Sequence, residues 1–429
     1  MSENKTYSRQ FKADATLKVF LEMVQGEAST YPWSNEELDN FSRWTGIDKS
    51  DLKNKTGEEL EKLAPFVMTV EAKKESIYVP FEPSALEDFV PISTKAYVNG
   101  EPIDIAISED GTFKVEINGL KIGEEVEIAI PAGYQFLGWA HTKGLSAFYR
   151  CKELKLMSRA VLHGVSYDLN GKSSVLTYNT ALTVSPTLLK YIDRGDDRVK
   201  FAYLFLGCSR LTSISEYLFA GFSKCVYNMF NSTFLDCSNL TSVPEGLFSD
   251  INGSAPSMFC STFSSCRGLE AIPKGLFAGV KGSASHLFFN TFAHCYSLTT
   301  VPEGLFAGVE GNATYMMSHI FYSCKNILNI PSDLFSGVRG SAYGLFLQCF
   351  TLCESLQAIP EDLFAGIGSG KDPFVFTRVF AGCKSLKGAT PKVQGKKLWE
   401  LATGDKQGGG CFKGCTKLAD YKEIPDNWK

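Results

Sequence analysis

The sequence lacks several features that would assign it to a common class of protein. No stretch of its 429 residues approaches the roughly 20 uninterrupted apolar residues of a membrane helix. The 43 basic and 47 acidic residues nearly cancel, so no overall field draws the chain to nucleic acid or to an anionic membrane. The start, Met1 to Lys5, lacks the basic-then-apolar layout of a secretory signal. We therefore expect synthesis in a cytoplasm, no membrane insertion and no nucleic-acid partner.

Catalytic motifs are missing as well. The sequence has no H-E-x-x-H, no G-x-S-x-G and no dinucleotide fingerprint. The run Gly366 to Lys371 is half of a phosphate loop, but Ala365 stands where that loop needs Gly and Asp372 where it needs Ser or Thr. We therefore expect no enzyme and no cofactor.

The thirteen cysteines follow a regular period. Eight of them lie 29 residues apart at first and then 30 and 32 apart, namely Cys208, Cys237, Cys266, Cys295, Cys324, Cys353, Cys383 and Cys415. Each has Phe three residues before it and Leu or Ile three residues after it. Phe148, Cys151 and Leu154 form a ninth copy, with room for a degenerate unit over 178–186. A self-similar period of this length predicts a solenoid, in which each unit buries its apolar face against its neighbours.

One unit shows the expected conformation. Leu287, Phe288, Thr291, Phe292 and Cys295 have the spacing of one helix face. The following stretch, Leu298 to Pro302, predicts a brief strand, because proline prevents a long one. We therefore predict an α/β solenoid over 139–429, with about ten units of about 29 residues.

The periodic cysteines have two interpretations. One cysteine per unit spreads thiols along the stack, so we expect small buried packing residues and no metal site. The alternative is zinc at the i, i+4 pairs Cys349 with Cys353 and Cys411 with Cys415. His286 and His294 are predicted on separate faces of one helix, with His319 in the next unit. We interpret these histidines as surface or packing residues.

The repeat resembles a known family. The run F-x-x-C-x-x-L-x-x-I-P from Phe263 to Pro273 is similar to the leucine-rich repeats of the BspA-like (Treponema pallidum-type) group. Such repeats occur in surface proteins of Bacteroides-like bacteria and in genes of their phages. The resemblance covers about residues 145–425, although the 29-residue unit is longer than usual for the group. It implies recognition or adhesion.

Two further regions precede the repeats. Residues 1–70 predict a helical segment, with a helix over Ala13 to Met23 and capping boxes at Ser34-x-x-Glu37 and Thr56-x-x-Glu59, which open the runs from Glu36 to Trp44 and from Gly57 to Phe66. Residues 71–138 alternate apolar and polar side chains in three runs around Asp110-Gly111. That pattern predicts a small antiparallel, sandwich-like β domain. The whole chain is thus expected to be an α+β multidomain protein.

Two sets of residues are candidates for binding. The residue after each repeat Leu or Ile should point to the concave strand face: Thr212, Thr241, Glu270, Thr299, Leu328, Gln357 and Lys387. Variation at these positions is typical of a recognition surface, although unconstrained solvent positions vary too. The helical segment holds apolar residues that we expect to attach the chain to a partner: Phe11, Leu17, Phe20, Trp33, Phe41 and Trp44. The competing explanation is that they dock on the chain's own β domain.

Two functions fit these observations. The first is a non-enzymatic structural and recognition protein of a phage particle, as a fibre, tail or capsid-decoration component located in the virion. There, residues 1–70 would bind other virion proteins or a second copy, and the solenoid would bind host protein or glycan. The alternative is an adhesin of the bacterial cell surface. Both are protein–protein or protein–glycan interaction roles without cofactor or metal.

Overall fold

The structure, a computed structural model, divides the chain into two compact units. One holds the described residues between 35 and 156, and the other holds those between 200 and 429. The described residues are 35–56, 59–60, 63, 65–71, 75–83, 93–107, 113–132, 134–136, 151–156, 200–216, 218–367, 374–401 and 408–429.

The first unit opens with two helices, α1 (Asn35–Thr45) and α2 (Lys49–Leu52). The predicted helix from Glu36 to Trp44 is confirmed. The capping box is confirmed at Thr56, whose N–H donates to Glu59 Oε2 at 2.8 Å while the Glu59 N–H donates to Thr56 Oγ1 at 3.3 Å. The helix predicted to end at Phe66 stops earlier, because Phe66 begins a strand. Ser34 and the helix predicted over 13–23 lie outside the described residues.

In the first unit, nine strands among the described residues form two antiparallel sheets. One sheet has the order β4-β3-β7-β1-β9 and the other β5-β6-β2-β8. The strands are β1 (Phe66–Glu71), β2 (Ser76–Pro83), β3 (Lys95–Val98), β4 (Glu101–Asp104), β5 (Ala106–Ile107), β6 (Phe113–Asn118), β7 (Glu125–Ile130), β8 (Tyr134–Phe136) and β9 (Cys151–Leu156). The alternating runs correctly predicted the strands between 101 and 130. The hairpin predicted around Asp110 is confirmed by its arms, since Ala106 pairs with Lys114 and Ile107 with Phe113.

The predicted boundaries of the β domain are wrong at both ends. Strand β1 begins at Phe66, before residue 71, and β9 lies beyond residue 138. Both belong to one sheet, because β1 pairs with β7 on one side and with β9 on the other. Cys151 and Leu154 therefore belong to a sheet strand and not to a ninth repeat. Only the part from Glu153 to Leu156 alternates polar and apolar side chains as a strand does.

Strand β7 is buried on both faces, and α1 covers one of them. Ala129 joins the helix residues in one core cluster of buried side chains: Leu38, Phe41, Trp44, Leu52, Leu60, Val67 and Ala129. On the same face, Glu127 accepts a hydrogen bond from Trp44 Nε1 at 3.0 Å and pairs with Arg43 at 3.0 Å. The buried carboxylate is thus both hydrogen-bonded and ion-paired within the chain.

This core corrects the predicted attachment surface. Phe41 and Trp44 are buried within the chain itself, because they pack against strands β1 and β7 in the core cluster. These two rings are therefore not available to a partner. The competing explanation, docking on the chain's own β domain, holds for them. Phe11, Leu17, Phe20 and Trp33 lie outside the described residues.

In the second unit, successive repeats stack through backbone hydrogen bonds. Phe288, Asn290 and Phe292 donate their N–H groups to carbonyls of the next repeat, at 2.9 to 3.1 Å. The residues between them donate within the repeat, three residues back, and so close four-residue turns. The same alternation recurs in the repeats before and after this one. Half of the N–H groups in this part of a repeat therefore bond to a neighbouring repeat.

The helix predicted over residues 287–295 is wrong. Among the described residues from 200 to 367, the helical segment is one 3₁₀ turn, Glu245–Phe248, and no α-helix occurs. Every fourth residue of these turn segments has a positive φ, as in Asn290 and His294 with φ of 58° and 62°. A positive φ at the third residue is the requirement of a type II turn. The α-helical part of the predicted α/β unit is thus replaced by consecutive turns.

Buried phenylalanines stack from repeat to repeat. One column runs through Phe205, Phe234, Phe263, Phe292, Phe321, Phe350, Phe380 and Phe412, with ring centroids 5.2 to 5.8 Å apart and planes within 10°. The predicted brief strand appears as a parallel bridge between Thr300 and Asn329. Stacked rings are worth about 0.5–1.5 kcal/mol a pair beyond their burial, so this column stabilises the packing of neighbouring repeats.

The cysteines complete this interior. The periodic cysteines are buried, as predicted for packing residues, and the twelve from Cys208 onward are free thiols. Cys295 Sγ donates to the Phe263 carbonyl at 3.2 Å, and the thiols of neighbouring repeats do the same. Thr291 Oγ1 makes the equivalent bond to the Phe259 carbonyl at 2.9 Å. The thiol is therefore a small apolar group that also donates a hydrogen bond to a buried backbone oxygen.

The last residues close the C-terminal end of the stack. The segment after residue 390 forms β10 (Lys392–Val393), β11 (Lys396–Lys397), α3 (Leu398–Leu401) and the 3₁₀ turns Tyr421–Glu423 and Asp426–Trp428. Gly410 and Phe412 donate to the carbonyls of Asn427 and Trp428, both at 2.8 Å. These two carbonyls take the place that a further repeat would fill, which leaves the final N–H groups satisfied.

Candidate binding surfaces

The predicted strand-face residues form one line of exposed side chains, here called the strand-face stripe. It consists of Thr212, Thr241, Glu270, Thr299, Leu328, Gln357 and Lys387, and all seven are exposed. From Glu270 to Lys387, the N–H of each stripe residue donates to the carbonyl of the stripe residue before it, at 2.8 to 3.5 Å. The structure therefore brings together the residues that the repeat predicted to share a face.

The stripe is exposed because its neighbours in the chain fill the core. In the repeat of Thr299, Leu298 before it and Val301 after it are buried. The stripe itself carries one carboxylate, one ammonium, hydroxyls, an amide and Leu328, which is 40% exposed. It is nearly neutral and offers hydrogen bonds with one apolar contact, which suits protein or glycan better than phosphate.

The turn segments present a second surface. Their left-handed residues, those with positive φ, form rows because equivalent positions recur in each repeat. A first row holds Asn228, Ser257, His286, Tyr315, Gly344 and Phe374, and a second holds Tyr203, Ser232, Ser261, Asn290, His319, Gln348, Arg378 and Gly410. A left-handed backbone costs about 1–2 kcal/mol for residues other than Gly, less for Asn and Asp. Tyr315 and Phe374 are therefore unusual residues for such positions, whereas histidine is among the residues enriched there.

Nine rings cluster on this surface, and we call them the aromatic–histidine patch. They are His286, Phe289, His294, Tyr296, Tyr315, His319, Tyr322, Tyr343 and Phe374, and each is half-buried or exposed. Phe289 lies 5.6 Å from His286 and 5.3 Å from His319, between ring centroids. Tyr322 lies 5.6 Å from His319 and 5.2 Å from His294. With the contacts of Tyr343 to Tyr315 and to Phe374, the patch joins four repeats through contacts between rings.

The histidines of the patch are biased to the neutral form. Burial lowers the pKa of His286, and burial together with the charges of Arg267 and Lys325 lowers that of His294. For His319, burial also lowers the pKa, while a hydrogen bond to Gln348 acts in the opposite direction. His319 is held at both ring nitrogens, by Ser318 Oγ at 2.7 Å and by Gln348 Oε1 at 3.0 Å. At neutral pH the patch is thus aromatic and polar without charge of its own.

The patch was missed from the sequence, because a helix would separate these histidines. The structure instead connects His286 and His294 through Phe289, His319 and Tyr322. A signal was present in the spacing: His286 and Tyr315 are 29 residues apart, as are His319 and Gln348. Equivalent positions of neighbouring repeats become neighbours in space, whatever the local conformation.

A third cluster has the groups of a nucleophilic site but no access. Thr390 Oγ1 donates to Asp420 Oδ2 at 2.6 Å, and Lys397 Nζ contacts both residues. A hydroxyl beside an amine is an arrangement that activates nucleophiles. Thr390, however, is only 2% exposed, so a substrate cannot reach its hydroxyl. We interpret the cluster as a buried set of hydrogen bonds and an ion pair that holds the C-terminal segment against the last repeat.

Comparison with known proteins leaves the family open. Neither a protein-family model, nor a curated protein, nor a solved structure matches the chain. The resemblance to BspA-like leucine-rich repeats therefore stays a prediction, based on the repeated Phe, Cys and Leu positions.

Neither membrane spans nor metal sites emerge from the described ranges. In this part of the chain, no helix has the length and apolarity to cross a membrane. Within the same residues, no three His, Cys, Asp or Glu side chains are grouped so that they could hold a metal ion. Burial raises the pKa of the Cys349, Cys353 and Cys411 thiols well above the usual value, and that of Cys415 to about 12. Neutral thiols are poor ligands, because the thiolate is the form that binds metal.

Proposed function

We propose that this chain is a non-enzymatic recognition protein, a leucine-rich-repeat solenoid that uses the strand-face stripe to bind a partner. The observation that carries this proposal is the contrast between fixed and varied positions. Phe292, Cys295 and Leu298 represent positions that are buried and nearly invariant in every repeat, whereas the stripe residue beside them changes from Thr to Glu, Leu, Gln or Lys. A fixed frame with a varied exposed row provides an extended surface for a macromolecule.

The expected setting is a phage particle, and the expected partner a host protein or glycan. The resemblance to repeats found in bacterial surface proteins and in phage genes supports a role at an external surface, with adhesion to a cell as the alternative setting. Attachment to other virion proteins, or to a second copy, is proposed for Phe11, Leu17, Phe20 and Trp33. Phe41 and Trp44 are withdrawn from that role, because they fill the chain's own core.

Site-specific crosslinking in the native source tests the stripe without knowledge of the ligand. A photoreactive amino acid at Thr299 or Gln357 is expected to trap a discrete adduct. The same group at Glu310, exposed in a different part of the repeat, is the matched control and should trap none. Adducts at all three positions, or at none, would contradict a binding role for the stripe.

The location needs a separate measurement. Mass spectrometry of the purified virion fraction and of the cell-envelope fraction is expected to find the protein in virions. Its presence in the envelope of uninfected cells would favour the adhesin instead. Both results are compatible with the stripe as binding surface, so the two tests fail independently.

A further inference from the structure

The left-handed rows hold two kinds of residue. In the first described repeats, Asn228, Ser257 and Ser261 occupy these positions, and Tyr203 is a ring. Two repeats later, the equivalents of Ser257 and Ser261 are Tyr315 and His319. The backbone conformation is the same, so it does not demand a ring. It in fact opposes Tyr and Phe, which adopt positive φ far less readily than Gly, Asn, Asp or His.

The core does not explain these rings either. The side chains of His286, Tyr315 and Phe374 are half-buried, and Tyr343 is 38% exposed. The stack holds together in the earlier repeats with Ser at the same positions. Residues that the backbone disfavours and the core does not require point to a binding role.

From this we infer that the aromatic–histidine patch is a carbohydrate-binding surface, separate from the strand-face stripe, whose ligand is an oligosaccharide of pyranose units. Its geometry fits a linear chain. His286, Tyr315 and Phe374, together with Tyr343 next to the left-handed Gly344, form a line of rings with centroid distances of 5.0, 5.2 and 5.3 Å and planes tilted by 39°, 81° and 74°. One ring per repeat lets a linear sugar chain run along the stack and gain a contact with each repeat.

The chemistry of the patch matches the two sides of a sugar. The C–H face of a pyranose is apolar and packs on the negative face of an aromatic ring. Its hydroxyls need donors and acceptors close by. These are supplied by the hydroxyls of Tyr315 and Tyr343 and by the amide of Gln348, which contacts His319. A protein interface is less well matched, since it needs a fully desolvated apolar centre, whereas this patch interleaves its rings with polar groups.

A printed array of hexose oligosaccharides, one to six units long and of both anomeric linkages, tests the inference on the full chain. Binding is expected to strengthen with chain length until four rings are covered. Tyr315→Ser and His319→Ser install the residues that the same rows hold two repeats earlier, so they should fold. Each is expected to weaken binding about tenfold. Tyr203→Ser removes a ring from the same left-handed row outside the patch, and it should leave binding unchanged.

The opposite results are equally clear. If the wild-type protein binds no oligosaccharide, or if the two variants bind as well as wild type, the patch is not a sugar site. If Thr299→Arg abolishes array binding while the patch variants retain it, the sugar occupies the strand-face stripe. That result would overturn this inference and leave the proposed function standing. Should Tyr315→Ser misfold by circular dichroism, Tyr343→Ser repeats the test at the most exposed ring of the row.

Discussion

Replacement of Phe292 by alanine is expected to destabilise the repeat stack by about 3–5 kcal/mol. The side chain is fully buried, and its ring lies between those of Phe263 and Phe321 at centroid distances of 5.6 and 5.7 Å. Both stacking contacts are lost, and the cavity opens between three repeats at once. Because a domain is stable by only about 5–15 kcal/mol, this one substitution removes a large share. Urea denaturation measures the loss, and peptide-resolved hydrogen exchange locates it.

The matched control is Phe289→Ala. Phe289 lies in the same turn segment and makes ring contacts, but it is half-buried and belongs to the surface patch. Its removal is expected to cost less than about 1.5 kcal/mol. Exchange should rise in the repeats around Phe263 and Phe321 for the Phe292 variant only. A cost under about 1 kcal/mol at Phe292, or equal costs at the two sites, would refute the ring column as the centre of the stack.

Two further predictions concern buried polar groups. Cys295→Ala removes a donor to the Phe263 carbonyl and should lower the free energy of unfolding by about 2 kcal/mol, measured by urea denaturation. Cys295→Ser keeps a donor and should lower it by less than half as much. A larger loss for serine than for alanine would argue against this role of the thiol. Asp420→Asn leaves Lys397 unpaired and should cost about 3 kcal/mol at neutral pH. Burial raises the pKa of Asp420, but bonds from Lys397 and Thr390 outweigh this and lower it overall. The stability gap should therefore be full above the ordinary carboxyl pKa and close as pH falls through the lowered value; a gap that persists at low pH would contradict the pairing.

The period revealed which residues are buried but not how the backbone runs between them. Phe292, Cys295 and Leu298 are all buried, as the repeat predicted. The apolar spacing i, i+4, i+8 fits a helix, and it equally fits turns that repeat every four residues. Side-chain spacing over so short a segment does not separate the two. The backbone hydrogen bonds decide between a helix and turns, because half of the N–H groups in this segment donate to the next repeat. Such bonds between distant residues leave no pattern in the local sequence.

A better signal was present in residue type. Asn228, Ser232 and Asp236 recur every fourth residue, and each has a positive φ. Asn and Asp tolerate that conformation best after Gly. A helix has no reason to place them at four-residue intervals on its buried side. The prediction of a ninth repeat at β9 was wrong for the reverse reason. Cys151 and Leu154 match the repeat motif, but they pair with β1.

The two proposed surfaces rest on observations of unequal weight. Stripe residues such as Thr299 and Gln357 lie in extended segments, where the backbone accepts most side chains. Solvent positions vary even without a ligand, so the contrast with the buried frame supports binding through its combination with the exposure of the whole line of side chains. At the left-handed positions the backbone restricts the choice, and Gly, Asn, Asp and His are the residues that it favours. Tyr315 and Phe374 depart from that preference at a cost that every folded copy of the protein bears. Side chains that destabilise the backbone are retained only if they have a function, whereas side chains at unrestricted positions vary freely. The aromatic–histidine patch is therefore a sharper test of what this chain binds than the strand-face stripe.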